Sequence, residues 1–257
     1  MTRVDYDKIA HLYDEPARDH AVDERLAAYL KSRAAACGQV GRVLDIGCGT
    51  GKWTMANGAA WPVLSLIGVD RSRGMLAIAR RRWSSGAWAC ADAERLPLPE
   101  SCIDYAACNY AYAHFEDKAA FVHEAFRVLK PGGRLVVTNI DPWEMPEWLL
   151  YRCFPAARQL DERDFMRRDA FAALLEDAGF RDVRFEDKRI VERLQLTAFL
   201  QRVSRRSSAS QLMAMSDEAY ERGIQLLTEK AALESERVGS GEPSEACIIH
   251  FVGDKGA

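Results

Sequence analysis

The sequence predicts an α/β protein built on a parallel sheet. Three observations carry that class. Short apolar runs recur between residues 42 and 140. Helical spacing fills the intervals between them, so strand and helix alternate five times over short loops, the pattern of right-handed crossovers. The first run leads into a glycine-rich turn, Arg42-Val43-Leu44-Asp45-Ile46-Gly47-Cys48-Gly49-Thr50-Gly51-Lys52, the layout for holding a ligand at the carboxyl edge of a sheet.

The elements follow in order. Tyr6, Ile9, Ala10 and Tyr13 recur at helical spacing, and Ala21 to Ala36 repeats the pattern with Leu26, Tyr29 and Leu30 on one face. Gly38 and Gly41 close that helix. The first strand and its glycine turn lead to a helix around 52–60, which Trp61-Pro62 breaks. Val63 to Asp70 reads as a second strand. Ser72 caps an arginine-rich helix carrying Arg80, Arg81 and Arg82; the choice there is between a solvated face and a nucleic-acid patch. Ala87 to Ala91 is a third strand ending at Asp92, and Cys102 to Asn109 a fourth. The helix 117–129 stops at Lys130-Pro131-Gly132-Gly133, and Leu135 to Asn139 is the fifth strand.

After residue 140 the pattern changes. Pro142, Pro146 and Pro155 predict a loop carrying Trp143, Trp148, Tyr151 and Phe154. A helix spans 169–178, a strand Val183 to Val191, polar helices 193–237 and a last strand Cys247 to Val252. Residues 193–240 read as a helical lid inserted in a single domain, with too few large apolar residues for a core of their own. With the aromatic stretch 143–154 they are candidate walls of a pocket, or ordinary core.

Composition bounds the rest. One large domain fits 257 residues, and the net charge of −3 does not suggest a phosphate-coated partner. Seven cysteines without a Cys-x-x-Cys pair read as reduced thiols, with no metal site. The start of the chain has no apolar leader, and no run approaches ~18 apolar residues. The expectation is a cytoplasmic protein with no membrane and no nucleic-acid partner.

The glycine spacing departs from the dinucleotide pattern. Here it is Asp45-x-Gly47-x-Gly49-x-Gly51, with an acid where a pyrophosphate would be repelled. The motifs Val43 to Gly51, Gly68-Val69-Asp70, Ala91-Asp92-Ala93-Glu94-Arg95-Leu96-Pro97-Leu98 and Arg127-Val128-Leu129-Lys130-Pro131-Gly132-Gly133 stand in that order. Together they resemble the class I S-adenosylmethionine-dependent methyltransferases, small-molecule branch, over roughly residues 5–140. The resemblance implies a Rossmann-like, doubly wound sheet of seven strands, the last antiparallel and inserted between the fifth and sixth. It implies S-adenosylmethionine as cofactor and a small-molecule methyl acceptor as partner.

The resemblance also implies site residues. Asp70, ~20 residues beyond the glycine turn, would receive the ribose hydroxyls; the plain reading is a helix cap ahead of Ser72. Asp92 would receive the adenine amine and the Ala93 N–H would reach a ring nitrogen. Asp45 either anchors the glycine turn or faces the methionine amine through water. Gly47, Cys48, Gly49, Arg71 and Asn109 complete the cofactor set. Tyr13 would sit against the sulfonium, as one of two Tyr-Asp pairs, Tyr6-Asp7 and Tyr13-Asp14. His114 lies where the acceptor belongs and is the candidate general base, against a structural role. His11, His20, His123 and His250 are weaker candidates. Three other readings remain at this stage: an RNA-modifying methyltransferase, a non-catalytic cofactor-binding protein, and methylation of an arsenical or thiol acceptor.

Overall fold

The computed structural model describes residues 4–12, 22–36, 41–235 and 241–256. Its strands are β1 (Arg42–Ile46), β2 (Ser65–Asp70), β3 (Ala87–Cys90), β4 (Ile103–Asn109), β5 (Leu129–Ile140), β6 (Phe180–Leu194) and β7 (Glu242–Lys255). Its helices are α1 (Tyr6–Ile9), α2 (Glu24–Ala36), α3 (Lys52–Ala60), α4 (Arg73–Arg82), α5 (Lys118–Val128), α6 (Leu149–Cys153), α7 (Pro155–Asp164), α8 (Arg168–Asp177), α9 (Leu196–Val203), α10 (Ser210–Ala214) and α11 (Asp217–Ser235). Among the described residues no helix is long and apolar enough to cross a membrane.

The strands form one seven-stranded sheet in the order β3-β2-β1-β4-β5-β7-β6. β1 pairs in parallel with β2 and with β4, β2 with β3, and β4 with β5. β7 runs against β5: Gly132 N–H donates to the Gly256 carbonyl, Arg134 grips Asp254, and Thr138 Oγ1 meets His250 Nδ1, so rising numbers meet falling ones. The inserted, antiparallel last strand is therefore as expected. The order reverses at β1, and the chain leaves β1 and β4 at neighbouring points of the carboxyl edge, where open α/β sheets bind ligands.

Local chemistry sets the helix starts. Ser72 Oγ accepts from Met75 N at 3.1 Å to cap α4, and Asp117 Oδ1 accepts from Ala120 N at 2.9 Å to cap α5. Boundaries differ from the sequence reading: β6 and β7 run beyond the expected 183–191 and 247–252. α5 ends at Val128 and β5 begins at once, so Lys130-Pro131-Gly132-Gly133 lies inside the strand. The ladder accommodates it by a register shift: Ile103 faces Leu129, and Tyr105 faces Arg134. That is a bulge, and Gly132 takes its left-handed φ of +73°.

The chain gathers into two compact units. The αβ unit comprises Tyr6–Asn139, Asp169–Glu186 and His250–Ala257. One of its apolar clusters brings Leu26 and Tyr29 of α2 together with Val43, Leu66, Tyr105 and Val136 of the sheet. The helical unit comprises Met1–Asp5, Ile140–Arg168 and Asp187–Ile249. Here the loop expected around Pro142 to Pro155 is corrected: α6 and α7 occupy 149–164, and Pro155 opens α7 rather than breaking a helix. Leu149, Leu150, Phe154 and Leu160 from these helices join Leu196, Phe199, Leu212 and Leu227 in one buried cluster. The apolar residues that 193–237 lacked are supplied by the stretch the proline count assigned to a loop.

Candidate functional site

The site residues lie in the αβ unit. β1 ends at Ile46, and the chain passes through Gly47 to Gly51 into α3. Gly47 and Gly49 hold φ values of +72° and +53°, where an L side chain crowds its own backbone. Their surroundings differ. A Cβ on Gly47 would stand 2.4 Å from Ala111 Cβ, whereas one on Gly49 would meet nothing within 4 Å. Gly47 is closed in by protein, and Gly49 looks onto open space.

Asp70, at the end of β2, fastens this turn. Its Oδ2 accepts from Gly49 N at 2.8 Å and its Oδ1 from Ser72 N at 2.8 Å. The helix cap is Ser72, so Asp70 is not the cap of the plain reading. Burial pushes the Asp70 carboxyl upward, and the Ser72 and Gly49 N–H groups oppose that. Each oxygen keeps a lone pair beyond these two bonds.

Asp45 is buried, 2% exposed, and accepts from Thr54 Oγ1 on α3. Burial pushes its carboxyl up to about 7. Asp92 is exposed, two residues beyond the end of β3, and Ala93 behind it is buried. Ala91 N–H donates to the Asp70 carbonyl at 3.1 Å, so the two strand-end acids are carried by bonded backbone. Arg71 is exposed, and its carbonyl accepts from Cys90 Sγ at 3.5 Å. Cys48 and Cys108 are buried, which raises both thiols and keeps them from serving as thiolates.

Asn109 ends β4 with its Nδ2 buried and without a hydrogen-bond partner among the described residues. Tyr110 follows at φ +55°, 46% exposed. A non-glycine residue held there is strained, and such strain gathers at functional sites. His114 is half-buried in the 3-10 turn Tyr112–His114, and its Nε2 stands 2.9 Å from Tyr6 Oη. Tyr13, Asp14 and His20 lie outside the described residues. His123 Nδ1 meets the Ala119 carbonyl of its own helix, and His250 is bound within the sheet by Thr138.

Three features went unread in the sequence. Asp7 Oδ1 accepts from Ser72 Oγ at 2.7 Å and Gly74 N at 2.8 Å, fixing α1 to the start of α4. The Tyr-Asp pairing signalled it, but spacing alone gave Asp7 no partner. Tyr6 meets His114 across the chain. Arg82 does not belong to a wholly solvated face: its Nη1 donates to the Thr50 carbonyl and Oγ1 at 3.2 Å, bracing the glycine turn.

These residues fit S-adenosylmethionine. The turn at Gly49 leaves room a side chain would fill, the buried amide donor of Asn109 lacks a partner among the described residues, and the acids Asp45 and Asp70 stand at the ends of the strands beside the turn. Among the described residues no cluster of His, Cys, Asp and Glu is arranged to hold a metal ion.

Comparison with known proteins agrees. A family model described as a methyltransferase domain matches residues 44–137. The ubiquinone/menaquinone biosynthesis C-methyltransferase of Syntrophotalea carbinolica is 32% identical over 212 residues, 72% of this chain and 88% of that one. The malonyl-[acyl-carrier protein] O-methyltransferase of Hahella chejuensis is 37% identical over 100 residues, 38% of this chain and 36% of that one. The phosphoethanolamine N-methyltransferase 2 of Haemonchus contortus, solved with S-adenosyl-L-methionine, matches in fold with a TM-score of 0.56 at 20% identity, over 91% of this chain and 53% of that one.

Proposed function

The chain belongs to the class I S-adenosylmethionine-dependent methyltransferases, and we propose that it serves a small, partly apolar acceptor from the site built around Gly49, Asp70 and His114. When bound, S-adenosylmethionine supplies an electrophilic methyl on a sulfonium. The rest falls to this chain's own residues.

Gly47, Cys48 and Gly49 present the backbone cradle. Asp70 would receive the ribose hydroxyls on the lone pairs that Gly49 and Ser72 leave open, Asp92 the adenine amine, and Ala93 N–H a ring nitrogen. Asn109, Asp45 and the backbone of Arg71 line the same edge, and Tyr13 is assigned to the sulfonium. Because the methyl is already activated, the protein's task is to align the acceptor and exclude water. His114 takes the acceptor's proton where the acceptor carries one. Residues 193–240 are assigned to acceptor selection. An activity named for ubiquinone and menaquinone biosynthesis in one relative is compatible with an apolar acceptor. A cytoplasmic location and the absence of a nucleic-acid partner belong to this reading.

The observation that carries the proposal is the Asp70 carboxylate bound at 2.8 Å to the Gly49 N–H, which welds the ribose acid to the open turn. Calorimetry tests it. S-adenosylmethionine should bind and NAD should not. Asp70→Ala should weaken binding by about 1–3 kcal/mol, the scale of hydrogen bonds to a charged group. Equal affinity in both proteins would remove Asp70 from the site. Labelled methyl should then pass to a small aromatic or acyl acceptor and not to bulk RNA. The failure of every small acceptor alongside labelling of RNA would reverse the choice of substrate class.

A further inference from the structure

β6 is 15 residues long, Phe180–Leu194, and the sheet order β5-β7-β6 leaves it last, with no strand on its outer side among the described residues. An edge strand presents a row of backbone N–H and C=O groups to any strand that can align with it. Within the helical unit its segment from Asp187 to Arg193 is exposed at every position. Ile190 is 41% exposed and Val191 71%. Consecutive strand residues point to opposite faces, so an apolar side chain is uncovered on each face of this edge. The segment holds no proline or glycine to blunt it. Its protection is charge alone: Asp187, Lys188, Arg189, Glu192 and Arg193.

These charges forbid most pairings of the strand with its own copy and permit one. Such a pair is antiparallel about a two-fold axis normal to the sheet. Residues directly opposite share a face, so the axis passes through a residue. Centred on Asp187, Lys188, Arg189, Glu192 or Arg193, it sets that charge against itself. Centred on Val191, it sets Arg189 against Arg193. Centred on Ile190, it sets Ile190 on Ile190, Lys188 opposite Glu192, Asp187 opposite Arg193 and Arg189 opposite Val191. Both ion pairs then occur twice and no like charges meet. Arg189 is answered within its own chain, by Glu245 at 2.6 Å and Glu144 at 3.0 Å, and its methylene stem covers Val191 of the copy. Arg193 carries five donors, enough to serve Asp187 of the copy alongside contacts within its own chain. We propose that β6 pairs with the β6 of a second copy of this chain, antiparallel and centred on Ile190, so that two sheets join into one.

The contact is far smaller than the ~20–30 residues a side of a standard interface, so the dimer should be weak, with a Kd of the order of 10–100 µM. Sedimentation of the full chain, from well below that concentration to well above it, tests the pairing. Wild type should pass from monomer to dimer, and the dimer should weaken in high salt, which screens exposed charge pairs. Ile190→Lys sets two ammonium groups on the axis and should leave a monomer throughout. Lys188→Glu or Glu192→Lys alone puts like charges opposite one another twice and should weaken the dimer by about tenfold or more. The double variant, Lys188→Glu with Glu192→Lys, restores opposite charges and should dimerise as wild type does. Each variant should melt near wild type, since all three side chains are exposed. A check independent of charge is Ile190→Cys, which meets its own copy on the axis and should be captured as a disulfide-linked dimer by mild oxidation. Val191→Cys, offset from its copy by ~7 Å along the strand, should not; wild type, with its exposed Cys90, is the control. A wild type that stays monomeric throughout overturns the second copy as occupant and leaves the edge to a strand of another protein. A dimer that survives Ile190→Lys overturns β6 as its interface. A double variant no better than the single ones, or capture of Val191→Cys in preference to Ile190→Cys, overturns the register.

Discussion

In the αβ unit the turn from Ile46 to Lys52 is held by backbone: left-handed glycines, the Gly49 N–H donated to Asp70, a carbonyl braced by Arg82. In the helical unit Leu149, Phe154, Phe199, Leu212 and Leu227 are held by the volume they fill together. The first kind of constraint admits few residues at each position, so it writes a motif. The second admits any set of apolar side chains of about the right size, so it leaves no motif. Substitutions at the two places should therefore fail in different ways.

The largest effects come first. Phe154 is fully buried, and Phe154→Ala should cost about 3–5 kcal/mol by chemical denaturation. Gly47→Ala should cost nearly as much with a single added carbon: about 1–2 kcal/mol for the left-handed backbone and about 1–3 for the contact with Ala111. A mild Gly47→Ala would mean that the turn can re-form elsewhere, and the contrast would blur. Replacing 197–237 with a short Gly/Ser bridge would uncover Leu149, Leu150, Phe154 and Leu160, so aggregation is the expected outcome, rather than a folded protein that has lost only its acceptor.

Two buried acids sharpen the comparison. Asp161 accepts from Tyr151 Oη at 2.6 Å and Gln211 Nε2 at 2.9 Å, and burial pushes its carboxyl up to about 7, from 3.8. The folded state then keeps a proton that the unfolded chain has already lost, so stability is highest below the unfolded value and falls as pH rises through that window. The loss is about 4 kcal/mol at most. Asp45, also near 7 through burial, adds a fall of the same sign in the αβ unit. Asp161→Asn keeps an acceptor for Tyr151 and should remove about half of the combined fall in melts taken across that range. A slope identical to wild type would show that Asp161 is ionised in the fold.

The smallest effect is the most discriminating. Leu212→Met, in the same buried cluster as Phe154, should cost less than about 1.5 kcal/mol, since cores tolerate swaps that conserve volume. A larger loss would mean that the helical unit is as exacting as the glycine turn.

This difference also explains what was legible. The glycine spacing and the acid ending β2 could be read because each answers to a backbone or hydrogen-bond requirement local in sequence, whereas the antiparallel last strand came only from the family resemblance. Asn109 and His114 could be named by position, but the missing partner of one and the Tyr6 contact of the other depend on residues far along the chain. α6 and α7 were hidden because Pro155 can open a helix as readily as end one, and only the burial of Leu149, Leu150 and Phe154 decides between them. The β5 bulge was hidden because Lys-Pro-Gly-Gly stops a helix and begins a strand in the same four residues.

The central claim is that open space above Gly49, next to Asp70, is the cofactor's place. Gly49→Val adds a side chain there whose Cβ meets no protein atom within 4 Å, at a backbone cost of about 1–2 kcal/mol. Calorimetric titration of S-adenosylmethionine into this variant, with its melt recorded alongside, should show a folded protein with no detectable binding where the wild type binds. A folded Gly49→Val variant with wild-type affinity would contradict the account.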